Sequence, residues 1–228
     1  MQTQDPSHGI EDEGVTRRSF IGQSAAVAGG LTVLGGAGAG LLESATALAA
    51  SAGGALTVAE LATLTAVLSQ LLPSDSLGPG AVEAGVPTYI NQSLTGSYSS
   101  LLPAYQSFLP MFDTAAQSLG AASFSALPAA QQVSLLTEFE AGTPPGVPTS
   151  EAPVVQGLFQ LLLEHMREGM FGDPMYGGNR SLAGWKLIGY PGIQLVTTAP
   201  EQKINANVKS SNKTARSYGG KPYNGPPV

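Results

Sequence analysis

The chain has 228 residues, of which 43% are hydrophobic and only 11% charged, with 29 Gly, 17 Pro, a net charge of −6 and no Cys. So low a charged fraction excludes a coiled coil, a charge-driven disordered chain and a salt-bridge-laced scaffold; the absence of cysteine excludes a disulfide framework, a thiolate metal site and a cysteine nucleophile. The length is enough for one domain with tails and a buried core, and 10 bases against 16 acids give no footing for nucleic acid as a partner.

Residues 1–16 are polar and acidic. Thr16-Arg17-Arg18-Ser19-Phe20-Ile21-Gly22 follows, opening a 23-residue uncharged run from Phe20 to Leu42. That run is long enough to cross a bilayer. Seven of its residues are glycine, however, and each weakens a helix by about 1 kcal/mol relative to alanine. A twin-arginine pair, a mildly apolar stretch and the small-residue sites Ala45-Thr46-Ala47 and Ala47-Leu48-Ala49 read as a bacterial export signal. The pattern resembles the twin-arginine (Tat) class, which carries folded cargo. Arg17, Arg18 and Phe20 form the recognition element, with cleavage after Ala47 or Ala49; an uncleaved anchor helix is the alternative. The expected organisation is a signal over 1–49, a helical domain over 50–200 and a flexible basic tail over 201–228. Without the signal the net charge is −3, unevenly spread: residues 50–200 hold 3 bases and 10 acids, whereas 201–228 hold five bases and Glu201 alone.

Thr57-Val58-Ala59-Glu60 has the spacing of a capping box. Behind it Leu61, Leu64, Leu68 and Leu71 repeat at helical spacing, and Pro73 ends the helix. Ser74 to Gly80 is a turn-rich loop. A short helical stretch around Val82, Val86, Tyr89, Ile90 and Leu94 is interrupted near Gly85 and Pro87. Leu101, Leu102, Tyr105, Phe108, Leu109, Phe112 and Leu119 mark the next apolar stripe, with a kink expected at Pro110. Phe124 to Pro128 leads into a helix carrying Val133, Leu135, Leu136 and Phe139. Residues 143–153 are a proline-rich loop, and the last clear helix runs from about Val154 to Met170, with Val155, Leu158, Phe159, Leu162 and Met166 inward. No stretch alternates like a strand, so the expected fold is all-α, a bundle of five or six short helices followed by a glycine-rich loop and a flexible tail.

Between Phe171 and Gly192 six glycines and the only tryptophan fall within 22 residues. Such glycine density permits positive φ and close backbone approach, and Tyr176, Trp185 and Tyr190 are aromatics of the kind that anchor interfaces. This segment resembles the gluconate 2-dehydrogenase subunit 3 family, the small or gamma subunits of FAD-dependent sugar and sugar-acid dehydrogenases. The family's D-P-x-Y-G-G-N element stands at Asp173-Pro174-Met175-Tyr176-Gly177-Gly178-Asn179, and its G-W-x-x-x-G-[FY]-P-G element at Gly184 to Gly192. Leu71-Leu72-Pro73-Ser74-Asp75, Pro79-Gly80-Ala81, Glu83 to Pro87 and Tyr89-Ile90 also match, so the likeness covers about residues 56–194. It implies a subunit without catalytic residues, cofactor or metal of its own. Its partner would be a large flavoprotein subunit of the glucose-methanol-choline type holding FAD, with a cytochrome c subunit as a further candidate. The small subunit would escort that partner through the twin-arginine translocation machinery to the periplasm or exterior, where the complex can be membrane-associated. Asp173, Pro174, Tyr176, Gly177, Gly178, Asn179, Trp185 and Tyr190 are the candidate partner contacts.

Other chemistries have weak footing. His165 with Glu168 has a spacing that can bind a metal, but one such pair without a second cluster reads as a solvated or capping group. No Gly-x-Ser-x-Gly element precedes an acid and a histidine, and Gly177, Gly178 and Gly189 lack the strand and helix of a dinucleotide fingerprint. Asp173 and Arg180 are expected to pair across the loop, and Trp185 suits either a plugged bundle end or an interface. The basic tail reads as a solvated end, a clamp on an acidic partner or a contact to anionic lipid. A free-standing exported binding protein for a sugar or cell-wall ligand remains the alternative to the subunit.

Overall fold

The computed structural model describes residues 54–204, 206 and 208–220. The expected signal over 1–49, with Arg17, Arg18, Phe20, Ala47 and Ala49, lies outside the described residues. Among these there are six α-helices and no strand: α1 (Val58–Leu71), α2 (Val86–Ser93), α3 (Leu102–Ser118), α4 (Ala129–Ala141), α5 (Ala152–Phe171) and α6 (Ala183–Leu187). The fold is therefore all-α, as the spacing of apolar residues requires.

Helix α1 is the hub, packed against α2, α3 and α4. Its start is the capping box read from the sequence: Glu60 N donates to Thr57 Oγ1 at 3.3 Å, and Thr57 N donates to the Glu60 carboxylate at 2.8 Å. Beyond the predicted leucine stripe, Thr63, Thr65, Ala66 and Val67 are also buried, as expected of a helix enclosed on most sides. Thr65 is tolerated there because its hydroxyl donates to the Leu61 carbonyl at 2.7 Å.

Phe108, Phe112, Phe124 and Phe139 meet at the centre of the bundle, the rings of Phe112 and Phe139 stacking at 3.9 Å while Phe124 meets Phe112 edge-on at 5.6 Å. One carboxylate ties three elements here. Asp113 of α3 accepts from Thr63 of α1 at 3.1 Å and from the Phe124 amide at 2.8 Å. The buried Gln132 side chain donates to the carbonyls of Phe124 (3.1 Å) and Leu127 (2.9 Å), so the turn before α4 buries its polar backbone at little cost.

Three local expectations shift. Gly85 and Pro87 start α2 rather than interrupt it: Gly85 takes φ 81° just before the helix, and Pro87 falls in the first turn, where its missing N–H is harmless. Helix α3 is one element across Pro110. Leu119, placed in the apolar stripe, stands just past the end of α3 and is 51% exposed. Among the described residues no helix is long and apolar enough to cross a membrane.

Phe112 is fully buried between two rings, so Phe112→Ala should cost about 3–5 kcal/mol of stability, read by denaturant unfolding.

Candidate partner interface at the glycine-rich loop

Helix α5 ends at Phe171, and its last carbonyls, which no further helical turn can satisfy, need other donors. The loop beyond it supplies them. Gly172 N donates to Glu168 O at 2.7 Å, and Asn179 N to Gly169 O at 2.7 Å. The Asn179 side-chain amide donates to Gly172 O at 2.8 Å, and the Trp185 indole donates to Phe171 O at 2.8 Å. Asn179 also accepts from Gly184 N at 2.9 Å through Oδ1, which joins the start of α6 to the same cap.

The glycines allow this approach. A Cβ at Gly178 would overlap the Gly169 carbonyl, and one at Gly184 would overlap the Met170 carbonyl. The backbone folds under itself through left-handed conformations at Asn179, Ser181 and Leu182 (φ 44°, 56° and 60°). Asparagine adopts that region readily, whereas leucine does so at a cost that the surrounding contacts must offset.

The eight candidate contacts therefore fall into three groups. Gly178, Asn179 and Trp185 are buried, the side chains of the last two bonded inside the chain; Asp173, Pro174 and Gly177 are half-buried; Tyr176 and Tyr190 are exposed. The Tyr190 ring meets Trp185 edge-on at 4.8 Å. Asp173 starts the turn Pro174–Tyr176 by accepting from Met175 N at 2.9 Å, and its second oxygen accepts from Ala215 N at 2.7 Å. The expected Asp173–Arg180 pair is replaced by other bonds: Arg180 reaches Thr88 of α2 at 2.8 Å, and its amide donates to Ala84 O at 2.9 Å. Gly177, at φ 98°, closes the turn beside the Gln92 side chain.

Part of the basic segment lies on this loop. Ser211 N donates to Pro191 O at 2.7 Å, and Ile193 N to Lys213 O at 2.8 Å. The turn Ala215–Tyr218 follows, with the Tyr218 hydroxyl donating to Ile193 O at 3.3 Å and the Lys213 ammonium 5.5 Å from the Tyr218 ring centre.

A second polar cluster joins α2, α3 and α5. His165 is buried, not solvated; its ring stacks on Tyr98 at 4.4 Å, and Nδ1 lies 2.8 Å from the Tyr105 hydroxyl. Glu168, one turn along α5, accepts from Tyr89 at 2.8 Å and from Tyr98 at 3.1 Å. Burial, and then the Glu168 carboxylate, raise all three tyrosine hydroxyls above the usual range. Burial lowers His165, against the opposing pull of Glu168 and Glu164. Glu168 is thus engaged by tyrosines rather than by a cation, and no group of three potential metal ligands occurs among the described residues. No sequence signal joins Tyr98 to His165, because the contact is between the turn after α2 and helix α5, far apart in the chain.

The two groups of loop residues should respond differently to substitution. Trp185→Phe strands the Phe171 carbonyl and should cost about 1–3 kcal/mol, whereas Tyr176→Ala on the exposed side should stay within about 0.5 kcal/mol by thermal or denaturant unfolding. A separate outcome concerns pH. The folded state disfavours His165 protonation, so this group's stabilising contribution is present above the ordinary histidine pKa of about 6.5 and is lost as pH falls from there toward its lower folded value. Unfolding titrations between pH 7 and 5 should show a slope that His165→Leu flattens.

No match to the chain is found among curated proteins or among solved structures. A family model described as gluconate 2-dehydrogenase subunit 3 matches residues 58–192, which take in the bundle, the loop and both elements that cap α5. That description makes the coarse assignment a subunit of a dehydrogenase complex, and the chain belongs to the gluconate 2-dehydrogenase subunit 3 family.

Proposed function

We propose that this chain is the non-catalytic small subunit of an exported dehydrogenase, acting as folding partner and twin-arginine export escort of a large FAD-dependent subunit of the glucose-methanol-choline type. FAD belongs to that partner, a cytochrome c subunit can take its electrons, and the assembly works in the periplasm or outside the cell, free or held at the membrane through the complex. The observation that carries this reading is how the family's signature residues are used. Both oxygens of Asp173, the Asn179 amide and the Trp185 indole are all engaged by backbone groups of the chain itself. The signature therefore shapes a surface and leaves no acid–base pair directed at a substrate. His165, the histidine of the helical domain, is enclosed by Tyr98 and Tyr105.

The escort role is supported by Arg17-Arg18-Ser19-Phe20 ahead of an uncharged run, since a twin-arginine signal suits cargo that has already folded around its cofactor. The test is expression of an FAD-dependent large subunit of this type from the same organism, with and without this chain. Exported, flavin-loaded dehydrogenase activity should appear only with the small subunit present, and Arg17→Lys with Arg18→Lys should hold both chains in the cytoplasm. Equal export of loaded enzyme without this chain would refute the escort role. Tight binding of a sugar by the isolated, monomeric mature chain would favour the free-standing binding protein instead.

A further inference from the structure

The charges of the chain divide along its sequence. Residues 54–173 hold ten acids and the single base Arg167, whereas residues 183–220 hold Lys186, Lys203, Lys209, Lys213 and Arg216 against Glu201 alone. All five of these cations are exposed, and none forms an ion pair with a described residue. The acid of the segment and the acid it rests on are engaged elsewhere. Glu201 accepts from the Thr198 amide at 2.8 Å and the Thr198 hydroxyl at 2.6 Å, and both oxygens of Asp173 accept backbone amides.

Tertiary contacts gather the cations on one stretch of surface. Residues 208–218 run back along 190–193 and are held there by main-chain groups: Ser211 N bonds Pro191 O, Ile193 N bonds Lys213 O, and Ala215 N bonds Asp173. Bonding of this kind consumes no lysine side chain, so the ammonium groups stay in water. Lys186 joins from α6, where it lines a shallow cavity of about 240 Å³ with Tyr190, Val208, Ser210 and Asn212. Apolar side chains are interleaved with the charges. Leu195 is 72% exposed, Val196 79% and Ile204 94%, and seven of the twelve large apolar residues left exposed among the described ones fall within 183–220.

Cations set among projecting aliphatic and tyrosine side chains match an anionic bilayer surface. Phosphate head groups take the ammonium groups, and the acyl boundary takes the apolar ones. A folded protein would need a pocket for each projecting side chain, whereas a fluid interface accepts them one by one. Residues 193–220 also lie beyond the matched part of the chain, so the partner the family has in common does not account for them. The acidic bundle is repelled by such a surface, which orients the molecule with this segment toward it. We infer that residues 183–220 form a peripheral docking surface for an anionic phospholipid membrane, with the five cations on the head groups and Leu195, Val196 and Ile204 entering the interface. The contact is the chain's own and does not rest on the proposed function.

The chain has no cysteine, so a single Ile204→Cys in the full chain can carry an environment-sensitive dye. Vesicles of equal parts phosphatidylglycerol and phosphatidylcholine should shift its emission to the blue, and vesicles of phosphatidylcholine alone should not. The same dye at Leu119→Cys, outside the segment, should stay unshifted with either, which separates this surface from insertion of the uncharged N-terminal run. Lys203→Gln, Lys209→Gln and Lys213→Gln should each raise the lipid needed for half the shift about fivefold, and the triple variant roughly a hundredfold. Added salt should reproduce that loss. Circular dichroism melting of these variants should match the wild type, because the three side chains are exposed. No shift at residue 204 with the anionic vesicles, an equal shift with the neutral ones, an equal shift at residue 119, or a shift that survives the triple variant would overturn the proposal. A shift produced by a purified FAD-dependent large subunit and not by vesicles would make the segment a clamp on protein and overturn it as well.

Discussion

The C-terminus of α5 sets the requirement around which this molecule is arranged. A twenty-residue helix, the longest among those described, ends with a set of carbonyls that must find donors away from water. The chain meets that need with the loop immediately after the helix. Asn179 donates through its main-chain amide and its side-chain NH2 while its Oδ1 accepts from Gly184 N, and Trp185 donates its indole N–H from the start of the next helix. Because Gly178 and Gly184 press against the carbonyls of Gly169 and Met170, neither position has room for a side chain. Two separate signature elements are thus the two halves of one cap.

That cap has an inner and an outer consequence. Inside, it fixes the end of α5 against α2, since Arg180 leaves the loop to bond Thr88 and Ala84. Outside, it decides what the loop displays. With Asn179 and Trp185 turned inward, Tyr176, Tyr190, Lys186 and Leu187 are among the residues left to solvent. A surface carried on a satisfied backbone loses little conformational freedom when something binds it, which favours preorganised docking. The basic segment adds to the same region: Ala215 bonds the second oxygen of Asp173, and Lys213 and Ser211 bond the loop's far end.

Away from the loop, polar groups are admitted to the interior only where each has a partner nearby. Asp113, Gln132 and Thr65 all bond backbone or hydroxyl groups at 2.7–3.1 Å. His165 is accommodated between two tyrosine rings, and Glu168 sits where two tyrosine hydroxyls converge. Among the described residues the exception is the Asn91 side-chain nitrogen, which is buried with no partner among them, while its oxygen accepts from Leu56 N at 2.9 Å.

The sequence by itself determined α1 to α5 and their order, whereas the short α6 lies in the segment that reads as a glycine-rich loop. Helical spacing of Leu61, Leu64, Leu68 and Leu71, the Thr57–Glu60 box, and prolines at helix starts are local signals, and local hydrogen bonding obeys them. It also marked the glycine-rich segment as special, through composition and through likeness to a family. What composition could not say was which loop residues face inward. Asn179 and Tyr176 are both polar members of one element, yet one is sealed and the other exposed, because only the fold places Asn179 under the carbonyls of α5. For the same reason Asp173 bonds Ala215 rather than Arg180, and His165 meets tyrosines from two other elements. Each of these is a contact between residues distant in sequence, chosen by how helices pack, and a one-dimensional pattern carries no record of that choice.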